Sequence, residues 1–355
     1  MFCLPRGRFF IAAIMCGLYC GLLLSAASTM GASIFPRQAA ANQEASRVVT
    51  DEAGRRVIVP AQVRRIVTLS PDLTETVYAL GLQGRLAGDT NECDTPAAAK
   101  SKPHVGEPQN PSLEAIVALR PDLILASTSI NRPETVDALA RLGIAVYTSN
   151  PHTVRGMLDS INRMAELMGV EEQGKTLVSK LQARLDALDA RLANLPLVHV
   201  LFVVWENPLF TIGQNTFIAD ALRFAGAESV ILSDHNWPQI SFEEVVRLQP
   251  DYILFTNNHT GTGSKQGSFA EGQTRLAQLR ARPDWRSLQA VELGHVVVVS
   301  DEMARPSPGM IGAIEELARE LHPEAFSAHS ENERIPNKLS AAAIQAEPRC
   351  ILCAR

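Results

Sequence analysis

The chain has 355 residues, enough for two domains at roughly 100–200 residues each. It is 46 % apolar and 20 % charged, a globular balance that argues against a disordered or fibrous protein. The net charge of −5, with no basic block, disfavours nucleic acid as a partner.

The N-terminus carries Arg6 and Arg8, then an apolar run from Phe9 to Ala27, then small residues with Ala39-Ala40-Ala41 as a cleavage site. That is the order of a secretory signal peptide, so residues 1–41 are expected to be an export segment. A run of this length can also stay in a bilayer as an anchor. Cys16 and Cys20 lie inside it, but neither follows the small residues of a lipoprotein site.

Residues 47–60 alternate as a β-hairpin does, with Ala53-Gly54 near the turn. Arg65–Leu69 reads as a short buried strand. Ser70-Pro71-Asp72 then opens a helix that ends at Gly81. Leu86–Gly88 is a brief strand, followed by the polar segment Asp89–Pro96 and a loop to Gly106. Residues 112–127 (SLEAIVALRPDLILAS) predict a helix capped by Ser112, a Pro-Asp turn and a buried strand. Arg132–Leu142 follows as a helix and Ala145–Thr148 as a strand. From Glu171, leucines at 177, 181, 185, 188, 192 and 195 form one helical stripe that Pro196 stops.

Beyond it the pattern restarts. His199–Val204 reads as a strand and Thr216–Ala225 as a helix ending at Gly226. Residues 241–256 (SFEEVVRLQPDYILFT) then repeat residues 112–127, with 8 of 16 positions identical. A Gly-rich loop, a helix near Thr274–Leu279, the strand His295–Val299 and a helix from Pro308 to Glu320 complete the sequence. This β-α alternation predicts an α/β fold of two lobes, each a mostly parallel sheet flanked by helices. One long helix, 171–195, is expected to join them in a single crossing. The expected divisions are an N-terminal lobe 47–152, connecting helices 153–195, a C-terminal lobe 196–326 and a poorly ordered tail 327–355.

Several motifs carry little chemistry. Gly169–Thr176 (GVEEQGKT) satisfies GxxxxGK[ST], but a helical pattern precedes it and Glu171 and Glu172 repel phosphate. Gly169 is read as a helix stop. Gly261-Thr-Gly263 opens no convincing helix for a dinucleotide. His235 and His259 are read as loop residues rather than a metal pair. Cys93, Cys350 and Cys353 are an odd set, and the Cys350-x-x-Cys353 pair lacks the flanking strand and helix of a redox site. No catalytic residue, cofactor or metal site is assigned.

The aromatics say more. All three tryptophans follow the leucine helix. Trp205 ends a strand close to Phe210, and Trp237 lies in a loop before the second repeat. Such residues line a cleft for a flat, largely apolar ligand. Trp285 is expected in the core. Asp301 and Arg305 follow the last strand, where they either hydrogen-bond a polar ligand rim or pair with each other. Glu114 and Glu243 hold equivalent first-turn positions, which the helix dipole favours and which also suit a docking pair for a basic partner.

The segments RRIVTLSPDLTETVYALG (64–81), CDTP (93–96), PSLEAIVALRPDLIL (111–125), ENPLFTIGQNTF (206–217), NWPQISFEEVVRLQPDYIL (236–254) and SDEMARPSP (300–308) resemble the helical-backbone substrate-binding proteins of ABC importers. The resemblance implies a non-enzymatic, monomeric, periplasmic receptor that delivers a small molecule to a permease/ATPase complex. It implies a corrinoid (cobalamin) held between the lobes by Trp237, Phe210, Asp301 and Arg305, with Trp205 and Glu92 beside them. It implies docking of Glu114 and Glu243 on permease arginines. Glu92, Pro108 and Ser127 stand where corrinoid-binding members carry first-lobe aromatics, so a ferric siderophore, haem or another metal chelate is the second expectation. A redox enzyme on a two-lobed nitrogenase-like scaffold is the alternative of another class. It requires cluster-ligand cysteines inside the lobes, where only Cys93 lies.

Overall fold

The computed structural model of the protein describes residues 46–256 and 269–327. The export segment, His259, the Gly261-Thr-Gly263 run and the Cys350-x-x-Cys353 tail lie outside those residues. Two separate four-stranded parallel sheets carry the fold. The first runs, in spatial order, Leu86–Gly88, Ile66–Thr68, Leu123–Ser127 and Val146–Ser149. The second runs Ala227–Ser229, Val198–Val203, Tyr252–Thr256 and Val296–Val299. The two orders are the same. Ile124 pairs with Val146 in one sheet as its repeat partner Ile253 pairs with Val296 in the other. The duplication therefore reaches past the sixteen legible residues into whole lobes.

Inside each copy the same devices recur. Ser112 caps the helix Leu113–Ala118 by accepting from the Ala115 N–H, and Ser241 caps Phe242–Leu248 by accepting from Glu244. Both helices are followed by a left-handed residue that is not glycine, Arg120 at φ 48° and Gln249 at φ 43°. The Asp of each Pro-Asp pair then clasps the neighbouring central strand. Asp122 accepts the Arg64 and Arg65 N–H groups at 2.8 and 2.9 Å, and Asp251 accepts that of His199 at 2.9 Å. What reads as a turn is also the peg that sets strand register.

The leucine helix spans Glu171–Leu192, about 33 Å at 1.5 Å per residue. It stops short of the expected Leu195, whose N–H bonds the Leu192 carbonyl. Leu181, Leu185, Leu188 and Leu192 are buried. The apolar stripe needs a partner, and the helix Val154–Leu167 supplies one through Met157, Leu158, Ile161 and Met164. A Cβ on Gly174 would sit 2.4 Å from the Ala165 Cβ, so glycine lets this helix pair approach. Gly169, at φ 69°, makes the bend between them. The GxxxxGK[ST] match is thus a helix stop followed by helix, with no phosphate loop.

The long helix joins the lobes as expected, and the helix that precedes it packs along it. Val154–Leu167 begins on the second lobe, where the Val154 N–H donates to Asp220 at 2.8 Å. It ends on the first, where Arg47 donates to the Glu166 and Leu167 carbonyls. The leucine helix returns to the second lobe, and Arg184 there holds Glu315 by two bonds of 2.9 Å. One apolar core runs through both lobes and this pair. Several short elements gave no periodic signal, among them the ladder of Trp205–Glu206 with Leu209–Phe210, the strand Ala227–Ser229 and the helix Gln289–Leu293. Among the described residues no helix is long and apolar enough to cross a membrane.

Candidate ligand cleft

In a parallel sheet the ligand-facing loops follow the strand carboxyl ends. On the second lobe, Val198–Val203 runs into Trp205–Glu206, which turns back as Leu209–Phe210. Trp205 and Phe210 are direct antiparallel partners and so share a face. Phe210 in turn bridges Gln239, two residues after Trp237. The Trp237 loop is laced to this ladder: Thr211 N–H to Pro238 O at 3.1 Å, Gly213 N–H to Asn236 O at 2.9 Å and Ile240 N–H to Leu209 O at 3.0 Å. The structure thereby brings Trp205, Phe210 and Trp237 onto one platform. Trp205 is 53 % exposed and Trp237 52 %, a large apolar area left in water. Glu206 anchors the ladder from behind through Arg282 at 2.7 Å and through Arg275. Trp285, 1 % exposed, packs on Phe242 and Phe255 in the core as expected.

At the first-lobe positions named by the resemblance the side chains are polar or buried. Glu92 is exposed, and the Asn91 side chain donates to Glu107 at 2.8 Å. Pro108 and Ser127 are both buried, so two of the three positions that resemble aromatic sites present little side chain to a ligand. Asn131 fixes the loops beneath by donating to the Leu69 and Pro108 carbonyls and accepting from the Ser127 N–H. Asp89, buried beside His104 at 2.7 Å, is pushed up to about 6 by desolvation, against the pull of that imidazole. Cys93 is buried between the hydroxyls of Thr74 and Thr90, and burial raises its thiol.

Asp301 and Arg305 lie lower, where the lobes meet. Asp301 is 4 % exposed. Arg305 stands 3.8 Å from Asp301 and 3.6 Å from Glu75 of the first lobe. They pair with each other, and with Glu75 on the helix that follows Ser70-Pro71-Asp72.

Glu114 and Glu243 are both exposed in their helix first turns. Each helix runs back along its sheet, so both acids sit at the strand carboxyl ends, one per lobe. The Glu243 carboxylate is held below its ordinary range by its own backbone N–H and by Ser241. Among the described residues no group of three His, Cys, Asp or Glu side chains is arranged to hold a metal.

The profile of the periplasmic binding proteins matches residues 66–303, two lobes and helix pair together. The chain belongs to the periplasmic binding protein family. As such a protein it serves transport, and its family is not one of enzymes. It is 28 % identical to a vitamin B12-binding protein of Vibrio parahaemolyticus over 256 residues, covering 72 % of this chain and 88 % of the relative. It is 28 % identical to an ABC transporter substrate-binding lipoprotein of Bacillus subtilis over 324 residues, covering 87 % and 98 %. Among solved structures it resembles the periplasmic vitamin B12 binding protein of Vibrio cholerae (26 % identity, TM-score 0.62, 75 % of this chain and 98 % of that one). It equally resembles a periplasmic haem-binding protein solved with two haems (26 %, TM-score 0.64, 75 % and 100 %).

Proposed function

We propose that this periplasmic binding protein captures a corrinoid between its lobes and delivers it to an ABC permease as an exported monomer. The aromatic platform carries the reading. Two half-exposed indoles and a phenyl ring on a rigid ladder cost much to leave in water and suit a flat macrocycle. The polar or buried side chains at those first-lobe positions support a ligand whose other face bears hydrogen-bonding groups, as the amide-rimmed corrin does. A haem, ferric siderophore or other metal chelate is the second reading, favoured by the scarcity of first-lobe aromatics and the likeness to a haem binder.

Titration with cyanocobalamin, haemin and ferric siderophores, followed by tryptophan fluorescence and melting temperature, tests the cargo. Cyanocobalamin is expected to quench fluorescence and raise the melting temperature. The Trp205→Ala/Trp237→Ala pair is expected to weaken binding about 1,000-fold, since two buried aromatic anchors at about 2 kcal/mol each contribute about 4 kcal/mol. A siderophore that shifts both signals while cyanocobalamin shifts neither overturns the corrinoid assignment.

Glu114 and Glu243 are proposed as the pair that docks on permease arginines. Reversing both charges (Glu114→Lys with Glu243→Lys) is expected to abolish permease-dependent uptake with ligand affinity unchanged. Uptake at the wild-type rate removes that role.

A further inference from the structure

Glu75 lies on the first-lobe helix Pro71–Ala79, is 6 % exposed and faces the second lobe. Its Oε1 is 3.6 Å from Arg305 Nη1, and Asp301 Oδ2 is 3.8 Å from Arg305 Nη2. Both separations are too long for hydrogen bonds, so one guanidinium is divided between an acid of each lobe. Glu302 completes the cluster. A Cβ on Gly309 would lie 2.9 Å from Glu302 Oε2 and 3.1 Å from Glu75 Oε2, so the two carboxylates flank the same glycine. Asp72, 2 % exposed, sits one helical turn before Glu75, and Ser307 stands beside Glu75. Glu316 of the helix Met310–Leu321 adds negative charge at Glu302. Asp72 Oδ1 and Glu75 Oε1 are buried without a hydrogen-bond partner. Among the described residues, Asp72, Glu75 and Glu302 thus gather with Asp301 around the Arg305 guanidinium in a largely buried contact.

Burial pushes Glu75 up to about 7, against Ser307 and Arg305, with Glu302 and Asp72 adding to the rise. Glu302 and Asp72 are raised too, each mainly by burial. A carboxyl raised from its ordinary 4.5 binds its proton more tightly in the closed contact than in water. The contact is therefore most favourable below pH 4.5 and weakens as pH rises through about 7. Any motion that admits water to Glu75 is favoured on the alkaline side.

We propose that Glu75 is a positioning residue of the cleft: protonated, it lets the lobes close over Arg305 and Glu302; ionised, it drives that contact toward a hydrated, opened state. Proton uptake then strengthens retention of the ligand, and proton loss promotes its release. The ligand half of this statement rests on the cleft reading above; the lobe-contact half does not.

Melting of the purified, ligand-free protein between pH 5 and 8 tests the contact. The wild-type melting temperature is expected to lose on the order of 5 °C more across that interval than that of Glu75→Gln. The variant, a permanent mimic of the protonated acid, is expected to melt above wild type at pH 8. Hydrogen exchange of helix 71–79, corrected for intrinsic rate, is expected to quicken as pH rises from 5 to about 7 in wild type and not in the variant. Glu302→Gln, which removes a like charge, is expected to shift the wild-type transition to lower pH, and it decides the matter should Glu75→Gln fail to fold. A Glu75→Gln slope equal to wild type, or an unmoved midpoint in Glu302→Gln, overturns the proposal. With cyanocobalamin as probe, dissociation is expected to be several-fold slower at pH 5.5 than at pH 8 in wild type only. Equal wild-type rates at the two pH values overturn the coupling to release. Absence of cyanocobalamin binding at both pH values overturns the corrinoid reading and leaves melting and exchange to decide the contact.

Discussion

Gly213→Ala is expected to cut ligand affinity at least tenfold while leaving the overall fold in place. A Cβ on Gly213 would stand 2.0 Å from the His235 carbonyl oxygen and 2.7 Å from that of Ser233. Both obstacles are backbone, so relief requires the loop to move rather than a side chain to turn. That loop carries Trp237, and the Gly213 N–H is one of its fastenings through Asn236 O. Forced overpacking of this kind costs about 1–3 kcal/mol, and here the displacement falls on the platform itself. Trp237 fluorescence and ligand titration read the effect directly. Wild-type affinity in Gly213→Ala, with a correctly folded far-ultraviolet spectrum, would show that the Trp237 loop is no part of the binding wall.

Leu185→Ala is expected to destabilise the protein by about 3 kcal/mol, the middle of the range for truncating a buried leucine. Leu185 is 1 % exposed at the centre of the leucine helix's buried stripe. It belongs to the core that contains Leu73 and Val77 of the first lobe and Leu222 and Ile314 of the second. Cavity formation there is felt by both lobes at once. The melting temperature is expected to fall by roughly 6 °C in one transition, at about 2 °C per kcal/mol for a chain of this size. Two separated transitions, only one of them shifted, would mean that the lobes fold as independent units and that the shared core contributes little.

Much of this architecture was legible because its signals are local and repeated. Leucines at steps of three and four define a helix whatever surrounds it. A Ser cap, an amphipathic turn, Pro-Asp and an apolar run in two copies define two like lobes. At the connection the leucine stripe located the long helix but not its packing. A stripe shows that a helix needs a partner without naming it, and the partner proved to be the preceding helix, admitted by Gly174.

For the cleft the division falls elsewhere. Trp205, Phe210 and Trp237 were nominated by residue type and by their place at strand ends. Only the backbone ladder, with Phe210 opposite Gln239, made them one surface. Asp301 and Arg305 were nominated as ligand contacts or as a pair, and the fold supplied the third member, Glu75, from the other lobe. The family resemblance added the expectation of a receptor, and the profile match over residues 66–303 bore out the family.

Element type, duplication and the aromatic content of the second lobe were thus written in the chain itself, since each depends on neighbours within a few residues. The pairing of the two spanning helices, the joining of three distant aromatics and the gathering of four acids around Arg305 were decided by tertiary structure alone. Those contacts depend on distance between segments far apart in sequence, and no periodicity or spacing carries that distance.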